Sequence, residues 1–305
     1  MKRVPELWFK DGNLVLCAGH SMFRVYGGLL ADRSPIFDDM LEIPQPQDAE
    51  LVDGCPVVHL PDNENDLEFF LNALIDYEFF LPFPTPTDFD TLSGILRLAT
   101  KYLVEPLRKR ALAHLSSAFP LILNDYRSSP SWSIADEEYI RVILLARELS
   151  IDWILPVALY RRCDCITPEQ FLNGVHHDNT RLELTTADKT VYLLENPRLR
   201  GHTTSAVLNF LWDPPVIPGC KSELSCSQSR TSTRQGFETW RNSGYLPLTI
   251  WGESDWDGLG VCKSCLSAMK VVHAIVLQKF WDGLPERFGF PGWADLQEMR
   301  DNALA

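Results

Sequence analysis

Phe23–Met40 reads FRVYGGLLADRSPIFDDM, and its punctuation decides the fold of the N-terminal third. A short apolar run ends at Val25, and a Gly-Gly step follows. Leu29-Leu30-Ala31 then leads to Arg33-Ser34-Pro35. Ser before Pro is a helix start: the hydroxyl accepts from an orphan backbone N–H, and Pro fits the first helical position, where no donor is needed. The stretch therefore predicts a strand end, a short helix, a sharp cap and a second short helix carrying Phe37 and Met40.

Working outward, Leu14–Cys17 and Met22–Val25 flank Ala18-Gly19-His20-Ser21. That pattern predicts a hairpin, with Gly19 free to take positive φ. Downstream, Gln45–Gly54 reads as a polar loop and Pro56–Leu60 as a third strand. Asp62 or Asn63 can cap a helix whose Leu67, Phe70, Leu71 and Leu74 form one apolar stripe. After the Pro-rich 80–86 link, Thr87 can cap a helix bearing Leu92, Ile95, Leu96 and Ala99, and Pro106 restarts a last one that ends near Phe119. Residues 7–120 thus read as α+β, a small sheet flanked by helices.

Residues 121–133 read as a linker, including the polar stretch NDYRSSPSWS. Residues 134–212 form a mainly helical region, with starts at Thr167-Pro168-Glu169 and Thr185-x-x-Asp188. Residues 213–219 are Pro-rich, and residues 222–233 are rich in Ser, Thr, Cys and Arg and nearly free of apolar side chains, so 213–235 reads as a mobile loop. Residues 236–305 regain aromatics and contain a long helix over Val261–Trp281.

The chain has 305 residues, which suits two domains of roughly 100–200 residues. It carries 28 Lys and Arg against 41 Asp and Glu, a net charge of −13. Between Arg33 and Arg97 there are fourteen acidic residues and no basic one, so this half repels phosphate backbones and direct nucleic-acid binding is not expected. The same acidity serves either as a solvated face or as a partner-selecting patch. The basic start lacks an apolar signal core, and no apolar run reaches the ~18–20 residues of a membrane helix. The expectation is an intracellular protein, cytoplasmic or nuclear or both, with no membrane contact. Its eight cysteines then read as metal ligands or core rather than disulfides.

Cys262-x-x-Cys265 is the sharpest local signal, because two thiolates at that spacing can grip one tetrahedral Zn²⁺. Cys220 and Cys226 are the candidates for the second pair. A structural metal there would tie the polar 222–233 stretch to the late helix. The alternatives are four ordinary thiols, with Cys262 and Cys265 as small hydrophobes opening a helix, or a redox pair at a helix start. Cys163 and Cys165 read as loop or core, His176-His177-Asp178 as a surface turn, and His273 as a core histidine. No nucleophile elbow, phosphate-binding loop, dinucleotide fingerprint or H-E-x-x-H motif occurs, so no enzymatic activity is expected.

The order of these elements resembles a BTB/POZ domain over residues 7–120. The motifs are the hairpin, the Arg-Ser-x-x-Phe stretch at Arg33–Phe37, the PVVHL strand and Ala99-x-Lys101-Tyr102-x-Val104-x-x-Leu107. The later LARELSIDWILPVALYRRC segment and the late Cys-x-x-Cys resemble the uncharacterised BTB-containing chains of mushroom-forming fungi. The resemblance implies a protein-interaction module that forms a homodimer and recruits a further protein through its helical C-terminal region. Leu7, Trp8, Phe9, Leu29, Leu30, Phe37 and Met40 are then the expected interface. The alternatives are a substrate adapter for a cullin-type ubiquitin ligase and a transcriptional co-regulator that does not touch DNA. The chain departs from common family patterns at Gly12-Asn13-Leu14, at Tyr26, and at Pro44-Gln45-Pro46, where cullin-recruiting members carry a hydrophobic-x-Glu element.

Overall fold

The computed structural model describes the chain except residues 44–49, 129–133, 136–137, 166, 178–179, 213–215 and 241–244. The Pro44-Gln45-Pro46 departure therefore lies outside the described residues, as do Asp178 and much of the expected linker.

The cap at Ser34 forms as its sequence requires. Helix α1 spans Gly27–Arg33 and helix α2 spans Pro35–Glu42. The Ser34 hydroxyl accepts from the Phe37 N–H at 3.1 Å and donates to the Tyr102 carbonyl at 2.6 Å. One side chain therefore caps α2 and ties it to a segment 68 residues later. The ring of Phe37 stacks on Tyr102 with centroids 4.3 Å apart, and the Tyr102 hydroxyl in turn donates to Asp62 at 2.5 Å.

Five strands form one mixed sheet, in the order β1-β3-β2-β5-β4. They are β1 (Lys2–Trp8), β2 (Leu14–Ala18), β3 (Ser21–Val25), β4 (Leu51–Val52) and β5 (Cys55–His59). The β2–β3 hairpin has the expected register, Leu14 opposite Val25 and Ala18 opposite Ser21, with Gly19 at φ +54°. Strand β1 runs parallel to β3, and β5 runs parallel to β2. The end of the expected 45–54 loop instead makes β4, through an Asp53-Gly54 turn of the kind that favours tight hairpins. Arg3 of β1 reaches the Asp53 carboxylate at 3.0 Å, although the two edges are farthest apart in strand order. The sheet therefore curls. Its concave face encloses Val15, Cys17 and Cys55, while Leu14, Leu16, Phe23 and Val25 face the helices.

Helices α3 (Glu64–Ile75), α4 (Phe89–Lys101) and α5 (Glu105–Ser117) complete this half. Asn63 caps α3, and Asp88, one residue after the expected Thr87, caps α4. Gly94 is needed where α4 crosses α3: a Cβ there would stand 2.9 Å from the Asp66 carboxylate and 3.0 Å from its Cα.

The expected linker is partly structured. Its first part forms α6 (Leu123–Arg127), and Tyr126 packs on Trp281 and Tyr160 at 5.2 and 6.2 Å. Beyond it come α7 (Tyr139–Glu148), α8 (Leu155–Cys165), α9 (Pro168–Asn173), the hairpin β6–β7 (Val175–His177 and Thr180–Leu182) and α10 (Thr186–Arg198). Thr167 and Thr185 cap α9 and α10. The C-terminal part holds α11 (Thr204–Val207), α12 (Glu223–Trp240), α13 (Glu253–Gly258), α14 (Lys263–Asp282), α15 (Leu284–Arg287) and α16 (Trp293–Leu304).

One apolar core runs through both halves, from Val4 to Leu296. Polar bonds cross the same seam. The Trp153 indole donates to Ser116 Oγ at 2.9 Å, and the Trp281 indole donates to the Leu121 carbonyl at 3.1 Å. Arg97 bridges Asp66 at 2.6 Å and Glu148 of α7 at 2.9 Å.

Two expectations change here. The 213–235 segment is not a loop throughout, because α12 occupies most of it. Leu7, Leu30 and Phe37, expected at a partner interface, are at most 1% exposed and belong to the chain's own core. Phe37 packs on Tyr102, and Leu7 and Leu30 belong to the same core, so these three side chains are covered by the chain itself. Trp8, Phe9, Leu29 and Met40 keep partial exposure.

The Ser34 bonds predict a measurable cost. Ser34→Ala removes a cap and leaves the buried Tyr102 carbonyl without its donor, which costs about 1–3 kcal/mol. Denaturant unfolding should show a lower midpoint with an unchanged slope.

Candidate metal centre

Two chain reversals bring four sulfurs together. Gly260, at φ +65°, turns the chain into α14, so that Cys262 becomes its N-cap residue and Cys265 sits in its first turn. Gly219, at φ +76°, turns the other arm, which places Cys220 just before α12 and Cys226 in its first turn. The four Sγ atoms all lie within 4.8 Å of one another. Cys262 and Cys220 are 3.9 Å apart. Four sulfurs around one tetrahedral ion at ~2.3 Å would be about 3.8 Å apart, so the cluster is close to that geometry without rearrangement.

Backbone donors are already aimed at these sulfurs. The Cys262 N–H donates to Cys226 Sγ at 3.2 Å. The N–H groups of Cys265 and Lys221 point at the Cys262 sulfur and hold its thiol down to about 6. Burial pushes the Cys265 thiol well up. For Cys226 the Cys262 N–H pulls downward, but burial and hydrogen bonds with the neighbouring thiols win and the thiol is raised. N–H groups directed at sulfur stabilise thiolate, the form that binds metal. Cys226 and Cys265 are buried, while Cys220 and Cys262 are half-exposed. The donor set is all sulfur, four-fold, and drawn from two segments, which fits a closed structural site.

The cluster lies at the start of α12. The helix's exposed positions are mostly Ser, Thr, Gln and Arg, with Glu223 and Leu224 exposed as well, and its described residues form no continuous apolar stripe. Its inward contacts include polar and aromatic ones. Ser229 Oγ donates to the Gly260 carbonyl at 3.1 Å, Arg230 donates to the Phe210 carbonyl at 3.3 Å, and Phe237 packs on Trp251 at 5.3 Å. Cys226 is the buried anchor of the first turn.

Among the described residues, no other group of three or more His, Cys, Asp and Glu side chains could hold a metal. Cys163 is core, as expected, and the Cys165 side chain lies outside the described residues. His176 and His177, expected in a surface turn, lie on strand β6 of the short hairpin. His273 is a core histidine, again as expected: it is 3% exposed and lies between Phe210 and Trp256 at 5.1 and 5.4 Å. Sequence patterning did not single out the aromatic box of Phe210, Phe237, Trp251, Trp256 and His273. The density of aromatics between Phe237 and Trp256 was its available signal. A cleft of about 510 Å³ separates α3 and α4 from α7 and β7, and its charged walls are paired within the chain, Asp66 with Arg97 and Asp90 with Arg141.

No protein-family model matches this sequence, and no curated protein matches it.

His273 makes the C-terminal region acid-sensitive. Burial, aided by the Arg127 charge, lowers its imidazole to about 4, although the Glu253 carboxylate pulls the other way. The unfolded chain takes up a proton near pH 6.5 and the folded one only near 4, so stability is full above 6.5 and falls as pH drops toward 4. Substituting His273→Phe should remove on the order of 2–3 kcal/mol of that loss. Unfolding midpoints of both proteins at pH 7 and pH 4.5 check this.

Proposed function

We propose that this chain is a non-catalytic protein-interaction module whose C-terminal region is fastened by one structural Zn²⁺. The observation that carries the reading is the four-sulfur cluster, with its ligand atoms within 4.8 Å and backbone N–H groups aimed at them. Cys220, Cys226, Cys262 and Cys265 would hold the ion as thiolates. The metal would join the start of α12 to the start of α14, supplying the fastening that the polar face of α12 cannot supply by burial.

One feature supports self-association as the module's activity, and another limits where it can occur. The free edge of β1 carries Lys2, Arg3, Pro5 and Glu6, a composition that discourages strand-to-strand pairing. The adjacent helical hairpin carries the opposite character. Ile36 and Ile43 are 38% and 63% exposed, with Leu29 and Met40 half-exposed beside them on α1 and α2. Apolar surface gathered on one hairpin is the better contact for a second copy.

Metal analysis of purified protein tests the first part. About one zinc per chain is expected, with no comparable iron, and Cys262→Ser/Cys265→Ser should lose it. Less than about 0.2 zinc per wild-type chain contradicts the reading, given how tightly structural sites bind. Removing the metal should raise amide exchange in α12 and at the start of α14 while leaving the sheet protected.

Light scattering tests the second part. The wild type should be a dimer at micromolar concentration, and Ile36→Asp/Met40→Asp should be a folded monomer. A wild-type monomer contradicts self-association, and a dimer that survives the substitutions contradicts this surface.

A further inference from the structure

The four sulfurs are not equivalent. Cys226 and Cys265 are 4% and 2% exposed, whereas Cys220 and Cys262 are only partly buried and stand 3.9 Å apart. The accessible pair takes one cysteine from each segment, 42 residues apart in sequence. The pairs closest in sequence, Cys220 with Cys226 and Cys262 with Cys265, each combine one open sulfur with one buried one.

We infer that the site is an oxidant-responsive clasp, in which a peroxide converts Cys220 and Cys262 into a disulfide and releases the metal. The release step rests on the zinc reading above, while the choice of pair rests on geometry and exposure. In the reaction, one exposed thiolate attacks the peroxide O–O bond and becomes a sulfenic acid, expelling the other oxygen as water or an alcohol. The second exposed sulfur attacks that sulfenic sulfur, forms the S–S bond and expels water. Two thiolates give up two electrons in total, and the peroxide accepts them with two protons. The two remaining sulfurs, Cys226 and Cys265, are too few to retain the ion, and they finish as reduced thiols.

The pairing has a structural consequence. A bond within either segment would let α12 separate from α14 once the metal left. A bond between Cys220 and Cys262 instead keeps the two helix starts joined, so oxidation exchanges a metal link for a covalent one. The oxidised form would no longer depend on metal, and a thiol reductant would restore the metal-binding form. No other sulfur pair among the described residues combines exposure of both partners with this proximity.

The test uses the full chain as purified, treated with one equivalent of hydrogen peroxide. Zinc release is read with a chromogenic chelator, and sulfur pairing by peptide mapping under non-reducing conditions. The expected result is about one zinc released per disulfide formed, with the cross-link between the Cys220 and Cys262 peptides. Cys226 and Cys265 should then alkylate once the protein is unfolded. Proteolysis after chelation should cut α12 in the reduced protein and spare it in the oxidised one. Cys220→Ser, which keeps three sulfurs, should abolish the cross-link. A disulfide within one segment overturns the inference, as does a zinc-loaded protein whose four sulfurs ignore peroxide. A preparation without zinc at the start contradicts the metal reading alone. Its cross-link pattern is still scored, and absence of the Cys220–Cys262 bond there overturns the pairing as well.

Discussion

Helix α12 has a largely polar surface, and the group buried in its first turn is one sulfur of a four-cysteine cluster. Helix α12 spans Glu223–Trp240 and carries Cys226 as its buried first-turn anchor. Cys226 meets Cys220, Cys262 and Cys265 within 4.8 Å. The meeting point lies at the N-terminus of α14, a helix whose other end carries Phe280 and Trp281 into the shared core. A fastening at the start of α14 would position the helix that carries His273 into the aromatic box and Trp281 against Leu121. The cluster lies where the start of α12 meets the start of α14.

The N-terminal half is organised differently. There the apolar pattern is strong, and polar groups refine it. Ser34 links α2 to Tyr102, Tyr102 links to Asp62, and Arg97 bridges Asp66 to Glu148 in the next region. These bonds sit on a core that is continuous with the C-terminal half. The two halves thus meet through packed side chains rather than a bare tether. The α1–α2 hairpin and the sulfur cluster are therefore carried on one continuous core.

How much of this was legible in the sequence follows the physics of each segment. Where apolar spacing and cap residues coincide, as at Ser34-Pro35, Asn63 and Thr185, the elements appear within a residue or two of expectation. The strand β1 was missed because Pro5 and three charges mask a strand that lies at an edge and buries only Val4 and Leu7 fully. Helix α12 was read as a loop because it lacks the 3.6-residue apolar period, and its support comes from residues distant in sequence. The four cysteines were legible as candidates, since Cys-x-x-Cys stands out against an acidic chain. That Cys220 and Cys226 complete the set was visible only once Gly219 and Gly260 had turned the two arms toward each other. The interface residues divided for a similar reason: a sequence lists Leu7, Leu30 and Phe37 as apolar but does not say which face of a hairpin they occupy.

The central claim is that one metal ion joins α12 to α14 through four thiolates. X-ray absorption at the zinc edge of the purified full-length chain addresses it most directly, because the signal reports both the kind and the number of atoms bound. The account predicts four sulfur neighbours at about 2.3 Å and no light-atom shell. Zinc bound by nitrogen or oxygen, or by fewer than four sulfurs, would contradict it.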